Sequence, residues 1–341
     1  MTALTIGIVG CGRSARIHSG RLREIEAVRI TGCVDSDREA ARALASELIG
    51  PDGDPSSIQA FADHQQLLTE ARPDVLAIFT PPRAHYRTAM DGLQAGCHLF
   101  IEKPLSTNTQ EAVDIVNLAR GRDRVVGVGH QFRLVPSLIE ARRLLAEGAI
   151  GRLRLVMAVM ANSWLATQRE PGGHAWRVDP KVSGGGIIAD DGDHLLDALI
   201  WTTDRPVAEV SAFQDREEPG LDVVNAITLR LIDGTPATLA ISGVSPGSLF
   251  EITYFGERGT LRANASSLCL AGADSEAPVQ DLPLRSNQTS IDGDFINAIR
   301  SGSPPCCSAE QAIETVRLQE AIARSAASGQ IIRLASADEP L

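Results

Sequence analysis

The first 128 residues alternate between short, predominantly apolar runs and longer segments whose apolar positions recur every three or four residues. The runs at 5–9 (TIGIV), 28–34 (VRITGCV), 74–79 (DVLAIF), 98–101 (HLFI) and 124–128 (RVVGV) read as strands covered on both faces. Between them, DREAARALASEL at 37–48 and the stretch 108–120 carry helical periodicity. Strands alternating with helices predict a parallel, doubly wound sheet with right-handed crossovers. From Gly129 the pattern changes: a connecting helix at 136–147 leads to strands at 152–161, 207–214, 223–232, 236–243, 250–255 and 260–263, joined by short turns such as Asp233-Gly234. Such a series predicts an antiparallel sheet. With one long helix at 187–202 and two late ones at 291–301 and 309–327, it makes an α+β unit with a large open sheet. The expected division is an α/β Rossmann domain over 1–128 and an α+β substrate-binding and oligomerisation domain over 129–341.

Composition narrows the class. A chain of 341 residues, 43% hydrophobic, is long enough for two cores. The net charge of −11, with no basic stripe, argues against nucleic acid and anionic membrane as partners. No apolar run approaches the roughly 18 residues of a membrane span, and the first residues carry no basic leader, so a cytoplasmic location is expected. Six scattered cysteines without C-x-x-C spacing predict neither a disulfide framework nor a structural zinc, and no metal is expected.

The chemistry concentrates where strands end. After the first strand come Gly10, Cys11, Gly12, Arg13, Ser14 and Ala15, in the pattern G-x-G-x-x-G/A. Gly10 permits a tight turn, Gly12 lets backbone N–H groups approach a pyrophosphate, and Ala15 lets the following helix lie close to the strand. The second strand ends at Asp35, twenty residues beyond Ala15, where a dinucleotide fold needs an acceptor for ribose hydroxyls. Ser36 and Asp37 follow, so a ribose 2′-phosphate would meet negative charge, which favours NAD over NADP. The alternative for Asp35 is a helix cap. Thr80, Pro81 and Pro82 turn the chain at the carboxyl edge of the sheet, His85 opens the next helix, and Glu102, Lys103 and Pro104 end the strand at 98–101.

A second constellation lies at 183–197, SGGGIIADDGDHLLD. On one continuous helix, Asp190, His194 and Asp197 fall at i, i+4 and i+7 and share a face. Three readings compete: a solvated face of caps and salt bridges; a metal site without a visible third ligand cluster; or a general base, His194, oriented by Asp190.

Taken together, these segments resemble the Gfo/Idh/MocA family of glucose-fructose oxidoreductase, inositol dehydrogenase and rhizopine-catabolism proteins. The resemblance covers nearly the whole chain. It rests on GCGRSARIH at 10–18, TPPRAH at 80–85, EKPLS at 102–106, VGVGHQFRLVP at 126–136, GAIGRL at 148–153, WRVDPKVSGGGIIADDGDHLLD at 176–197 and DFINAIRSG at 294–302. It implies an N-terminal Rossmann domain and a C-terminal sheet used for dimer or tetramer contacts. By the same resemblance Lys103 is the catalytic lysine, Asp190 and His194 are the D-x-x-x-H pair, and Pro104 follows a cis peptide bond. Ala15 stands where the common motif has a third glycine, and Asp191 adds an acid of unassigned role.

The function this implies is an NAD-dependent dehydrogenase acting on CH–OH groups, moving a hydride between nicotinamide and a secondary alcohol or ketone of a sugar, cyclitol or related polyol. The substrate is expected between the sheet edge and the second domain. His194 takes the hydroxyl proton, Lys103 holds or polarises the oxygen, and Asp190 orients the pair. Trp164, Trp176, Arg177 and Arg133 are candidate pocket residues among the variable loops at 162–182 and nearby, since sugars are held by flat apolar faces and fixed donors. The rival readings are an NAD-retaining member that hydrolyses or eliminates through transient oxidation, and an NAD-responsive regulator. Lys103 and His194 count against the regulator.

Overall fold

The computed structural model describes residues 3–51, 53–171, 174–272, 278–286 and 289–334. Gly172 and Gly173 of the predicted pocket loops lie outside the described residues. Two compact units form.

The first unit is built from residues up to His130 together with 289–313. Its strands are β1 (Leu4–Val9), β2 (Val28–Val34), β3 (Gln59–Phe61), β4 (Val75–Ile78), β5 (His98–Ile101) and β6 (Val126–Val128). All pair in parallel, in the order β3-β2-β1-β4-β5-β6. The order reverses between β1 and β4, which opens a crevice at the carboxyl ends of those strands. The apolar centres of these strands are buried, as parallel strands require: Ile6, Ile8, Leu76, Ile78, Leu99 and Ile101 are inaccessible to solvent. The short strand β3 escapes sequence reading because three residues carry no period. The sequence places the helix at 291–301 in the second domain, but Ile291–Ser301 belongs to the first unit. Its Phe295 ring lies 5.5 Å from Phe100 and over Gly127, where a Cβ would stand 2.7 Å from it.

The second unit spans 131–288 and resumes at Glu314. Its strands are β7 (Leu153–Ala161), β8 (Val207–Glu218), β9 (Leu221–Leu231), β10 (Pro236–Ser242), β11 (Leu249–Gly256), β12 (Gly259–Asn264), β13 (Leu268–Gly272), β14 (Gln280–Asp281) and β15 (Ile332–Arg333). They form one nine-stranded sheet in the order β14-β13-β12-β11-β7-β10-β9-β8-β15. Every pair is antiparallel except β7 with β10, which run parallel. That exception arises because the chain leaves β7 through helices to reach β8, and then returns through the antiparallel succession β8-β9-β10, which brings β10 alongside β7 in the same direction. The helix Asp191–Thr203 lies on one face, and Leu195, Leu199, Val156, Ile227, Leu239 and Tyr254 make the core beneath it. The buried Tyr254 hydroxyl is satisfied by Thr202 Oγ1 at 2.7 Å.

Candidate functional site

In the first unit the glycine turn has the geometry its sequence requires. Gly10 has φ +88°, and a Cβ there would stand 2.6 Å from the carbonyl carbon of Phe79. Gly12 is the N-cap of the helix Arg13–Arg23, and a Cβ added to it would meet nothing within 4 Å. No side chain caps that helix. By contrast, Asp37, Asp63 and Asn108 cap the helices Arg38–Ile49, His64–Glu70 and Thr109–Gly121 with bonds of 2.8–2.9 Å. Among the described residues no side chain competes as a cap for the first-turn N–H groups, which leaves that role to a pyrophosphate. Ala15 is fully buried, whereas Gly12 and Arg13 are exposed.

Asp35 closes the turn from β2: its Oδ2 accepts the N–H of Cys11 at 2.8 Å and its Oδ1 that of Asp37 at 2.9 Å. The helix-cap alternative goes to Asp37, not Asp35. Beyond β4, Thr80 carries a buried hydroxyl with no hydrogen-bond partner among the described residues. This uncapped helix start, open glycine and orphaned hydroxyl at one sheet edge fit a dinucleotide.

His85 differs from its expected role as a cofactor contact. Its ring is fully buried, with Nδ1 2.8 Å from the Pro104 carbonyl and Nε2 2.9 Å from that of Thr80. It ties the Thr80-Pro81-Pro82 turn to the turn carrying Lys103, and burial lowers its pKa. The Lys103–Pro104 bond is cis, as expected. The N–H of Lys103 donates to Glu102 Oε2 at 3.1 Å.

In the second unit the predicted continuous helix from Ile187 is broken. A short 3₁₀ turn, Ile187–Ala189, ends at Asp190, whose φ −107° and ψ −97° lie outside helical space, and the α-helix begins at Asp191. Asp190 therefore precedes the helix that carries His194 and Asp197 instead of sharing its face. The cause lies on a strand distant in sequence: Asp222 Oδ1 accepts the N–H of Gly186 at 3.0 Å, and its Oδ2 accepts that of Ile188 at 3.1 Å. Both donors are thereby drawn toward β9.

Asp190 is held from two sides. Trp164 Nε1 donates to its Oδ2 at 2.8 Å, and the Arg177 guanidinium pairs with its Oδ1. Arg177 also lies over the Trp176 ring at 4.6 Å. Three of the four candidate pocket residues thus surround one carboxylate or each other. The fourth, Arg133, is only 3% exposed and grips Asp197 through contacts of 2.6–3.1 Å, which makes it part of a buried ion pair. His194 stacks on Phe132 at 4.7 Å, with the planes 10° apart. Asp191 accepts from Asn162 Nδ2 at 2.7 Å, which gives this acid a part in anchoring the helix start.

Sequence reading missed Asp222, which carries no motif, and a buried cluster of His18 and Asp292 in the first unit. For His18 a signal existed: with Ala15, Ser19 and Leu22 it occupies the buried face of its helix.

Comparison with known proteins assigns the family. Residues 4–130 match a model described as "Oxidoreductase family, NAD-binding Rossmann fold", and residues 138–262 match the GFO/IDH/MocA C-terminal domain. The rhizopine catabolism protein MocA of Rhizobium meliloti is 24% identical over 328 residues, 94% of each chain. D-glucoside 3-dehydrogenase of Escherichia coli is 25% identical over 209 residues, 60% of this chain and 56% of that one. The structure of a levoglucosan dehydrogenase in complex with NADH superposes with TM-score 0.86 at 18% identity, covering 97% of this chain and 99% of the other. The chain therefore belongs to the Gfo/Idh/MocA oxidoreductase family, with an NAD-binding Rossmann domain followed by that family's C-terminal domain.

Proposed function

We propose that this protein is an NAD-dependent dehydrogenase of a secondary alcohol on a sugar, cyclitol or related polyol. The observation that carries the reading is Lys103, set at the carboxyl edge of an NAD-binding sheet and fixed through its own N–H by Glu102. The curated relatives named for sugar dehydrogenation support the substrate class. Gly10, Cys11, Gly12, Arg13, Ser14 and Ala15 would hold the pyrophosphate and Asp35 the ribose hydroxyls, with Ser36, Thr80, Pro81 and Pro82 beside them. NAD, when bound, supplies the two-electron acceptor for the carbinol carbon.

The remaining work falls to side chains. Lys103 holds the substrate hydroxyl oxygen and polarises it. His194 takes the hydroxyl proton as general base. Asp190, through Arg177 and Trp164, fixes a donor and a flat ring against the polyol. His85 and Glu102 act on the backbone that presents Lys103.

The test is to incubate the purified protein with NAD and a panel of sugars and cyclitols and to follow NADH absorbance. NADH formation with at least one polyol is expected. Failure with every polyol, together with NAD that never exchanges, contradicts the proposal and favours the transient-oxidation reading. The same proposal includes a homodimer or homotetramer built on the exposed face of the nine-stranded sheet, where Met157 and Phe213 are 49% and 77% exposed. Light scattering measures the assembly. A cytoplasmic location belongs to it as well, supported by six cysteines without a paired framework.

A further inference from the structure

The first unit buries a charged group that the roles above do not use. His18, 4% exposed, has a carboxylate oxygen at each ring nitrogen: Asp292 Oδ1 at 2.7 Å from Nδ1 and Glu102 Oε1 at 3.3 Å from Nε2. Its ring stacks on Phe79 at 4.9 Å and lies 5.2 Å from Phe100. Among the described residues, the charged groups around it are Asp292 from the helix Ile291–Ser301, Glu102 after β5, and Arg21 of its own helix, whose Nη1 lies 3.6 Å from Asp292 Oδ2.

A neutral ring here would aim a lone pair at an anion, so the site favours the imidazolium, which donates from both nitrogens. Burial by itself lowers the pKa of His18. The hydrogen bonds to Asp292 and Glu102, with their charges, outweigh it and push the value up to about 9. The second oxygen of Glu102 accepts the N–H of Lys103. Gly129 leaves room for this carboxylate, since a Cβ there would stand 3.0 Å from its Oε1. A continuous chain of polar contacts thus runs from Asp292, hydrogen-bonded to His18, through the His18–Glu102 ion pair to the hydrogen bond between Glu102 and the Lys103 peptide.

We propose that His18 and Asp292 are positioning residues for Lys103: the imidazolium clamps Glu102, and Glu102 clamps the peptide from which the lysine projects toward the substrate hydroxyl. The inference rests on the assignment of Lys103 as a catalytic residue. When His18 loses its proton, Glu102 loses the imidazolium beside its Oε1, the Lys103 turn loosens, and turnover falls while NAD remains bound.

Two measurements test this. In the NAD-free protein, imidazole NMR, with the His18 signals assigned by their loss in His18→Gln, reads the ring directly. Both nitrogens should be protonated at pH 7 and titrate near 9, and Asp292→Asn should lower that value. In steady-state kinetics on a polyol substrate, His18→Gln should lower kcat roughly 10- to 100-fold, the scale of a small misplacement of a reacting group. KM for NAD should stay constant, and the wild-type loss of kcat near pH 9 should disappear. A His18 that titrates at or below its ordinary value, or His18→Gln with wild-type kcat, overturns the proposal. Should His18→Gln not fold, the wild-type titration with and without Asp292→Asn decides. Lys103→Ala separates the layers: if it retains full rate, the lysine assignment falls and this inference with it. If it is inactive while His18→Gln runs at full rate, only the positioning pair falls.

Discussion

Replacing Asp222 by Asn removes a single charge and tests why the chain breaks at Asp190. The Asp222 side chain is nearly inaccessible and accepts three hydrogen bonds, from the N–H groups of Gly186 and Ile188 at 3.0 and 3.1 Å and from Asn225 Nδ2 at 2.7 Å. A carboxamide has one acceptor oxygen, so its NH₂ must face one of these donors, and the bonds that survive become neutral. A hydrogen bond to a charged group contributes about 1.5–3 kcal/mol, so one lost and two weakened amount to roughly 3 kcal/mol. For a unit of this size that is a fall in Tm on the order of 6–12 °C. The turn before Asp190 loosens with it, so kcat on a polyol should fall together with Tm. NAD affinity should not change, because the proposed cradle is residues 10–15 of the other unit. Thermal unfolding, NAD titration by fluorescence and steady-state kinetics on the same preparation give all three. A variant with wild-type Tm and kcat would refute the claim that Asp222 shapes the Asp190 turn.

Three further outcomes follow from the same structure. Arg133→Met should cost about 3–5 kcal/mol by breaking the buried pair with Asp197, measured by urea unfolding. A rise in polyol KM with stability unchanged would instead return Arg133 to the substrate site. Gly10→Ala, with φ +88° and backbone 2.6 Å from the new Cβ, should abolish NAD binding or folding, and wild-type NAD affinity would contradict the turn geometry. His18 also ties stability to pH. Its folded pKa of about 9 lies above the ordinary 6.5, so its contribution is complete below 6.5 and is lost as pH rises through 9. At about 1.4 kcal/mol per tenfold in proton affinity that contribution is roughly 3 kcal/mol. Urea unfolding across this range should show the loss in wild type and not in His18→Gln.

Most of the first sheet was readable because burial on both faces writes itself as short, predominantly apolar runs, and the glycine turn because backbone shape there restricts residue type. The cis Lys103–Pro104 bond and the family followed from spaced motifs. What stayed hidden depends on contacts distant in sequence. The break at Asp190 is made by Asp222, in a strand whose own pattern shows only burial. The fate of Arg133 is decided by Asp197, sixty-four residues away. His85 reads as a residue at the cofactor edge, yet its ring joins two backbone turns. The return of 289–313 to the first unit has no local signature, since an amphipathic helix does not say which core it covers.

In the proposed polyol dehydrogenase, Lys103 and His194 carry the oxygen and proton chemistry. The most direct test of these roles is single-turnover NADH formation by Lys103→Ala and by His194→Ala on a polyol that the wild type oxidises, with NAD binding measured alongside. Each substitution should slow the step roughly 10²- to 10⁴-fold while NAD affinity is retained. Near-normal rates in both variants would contradict the account.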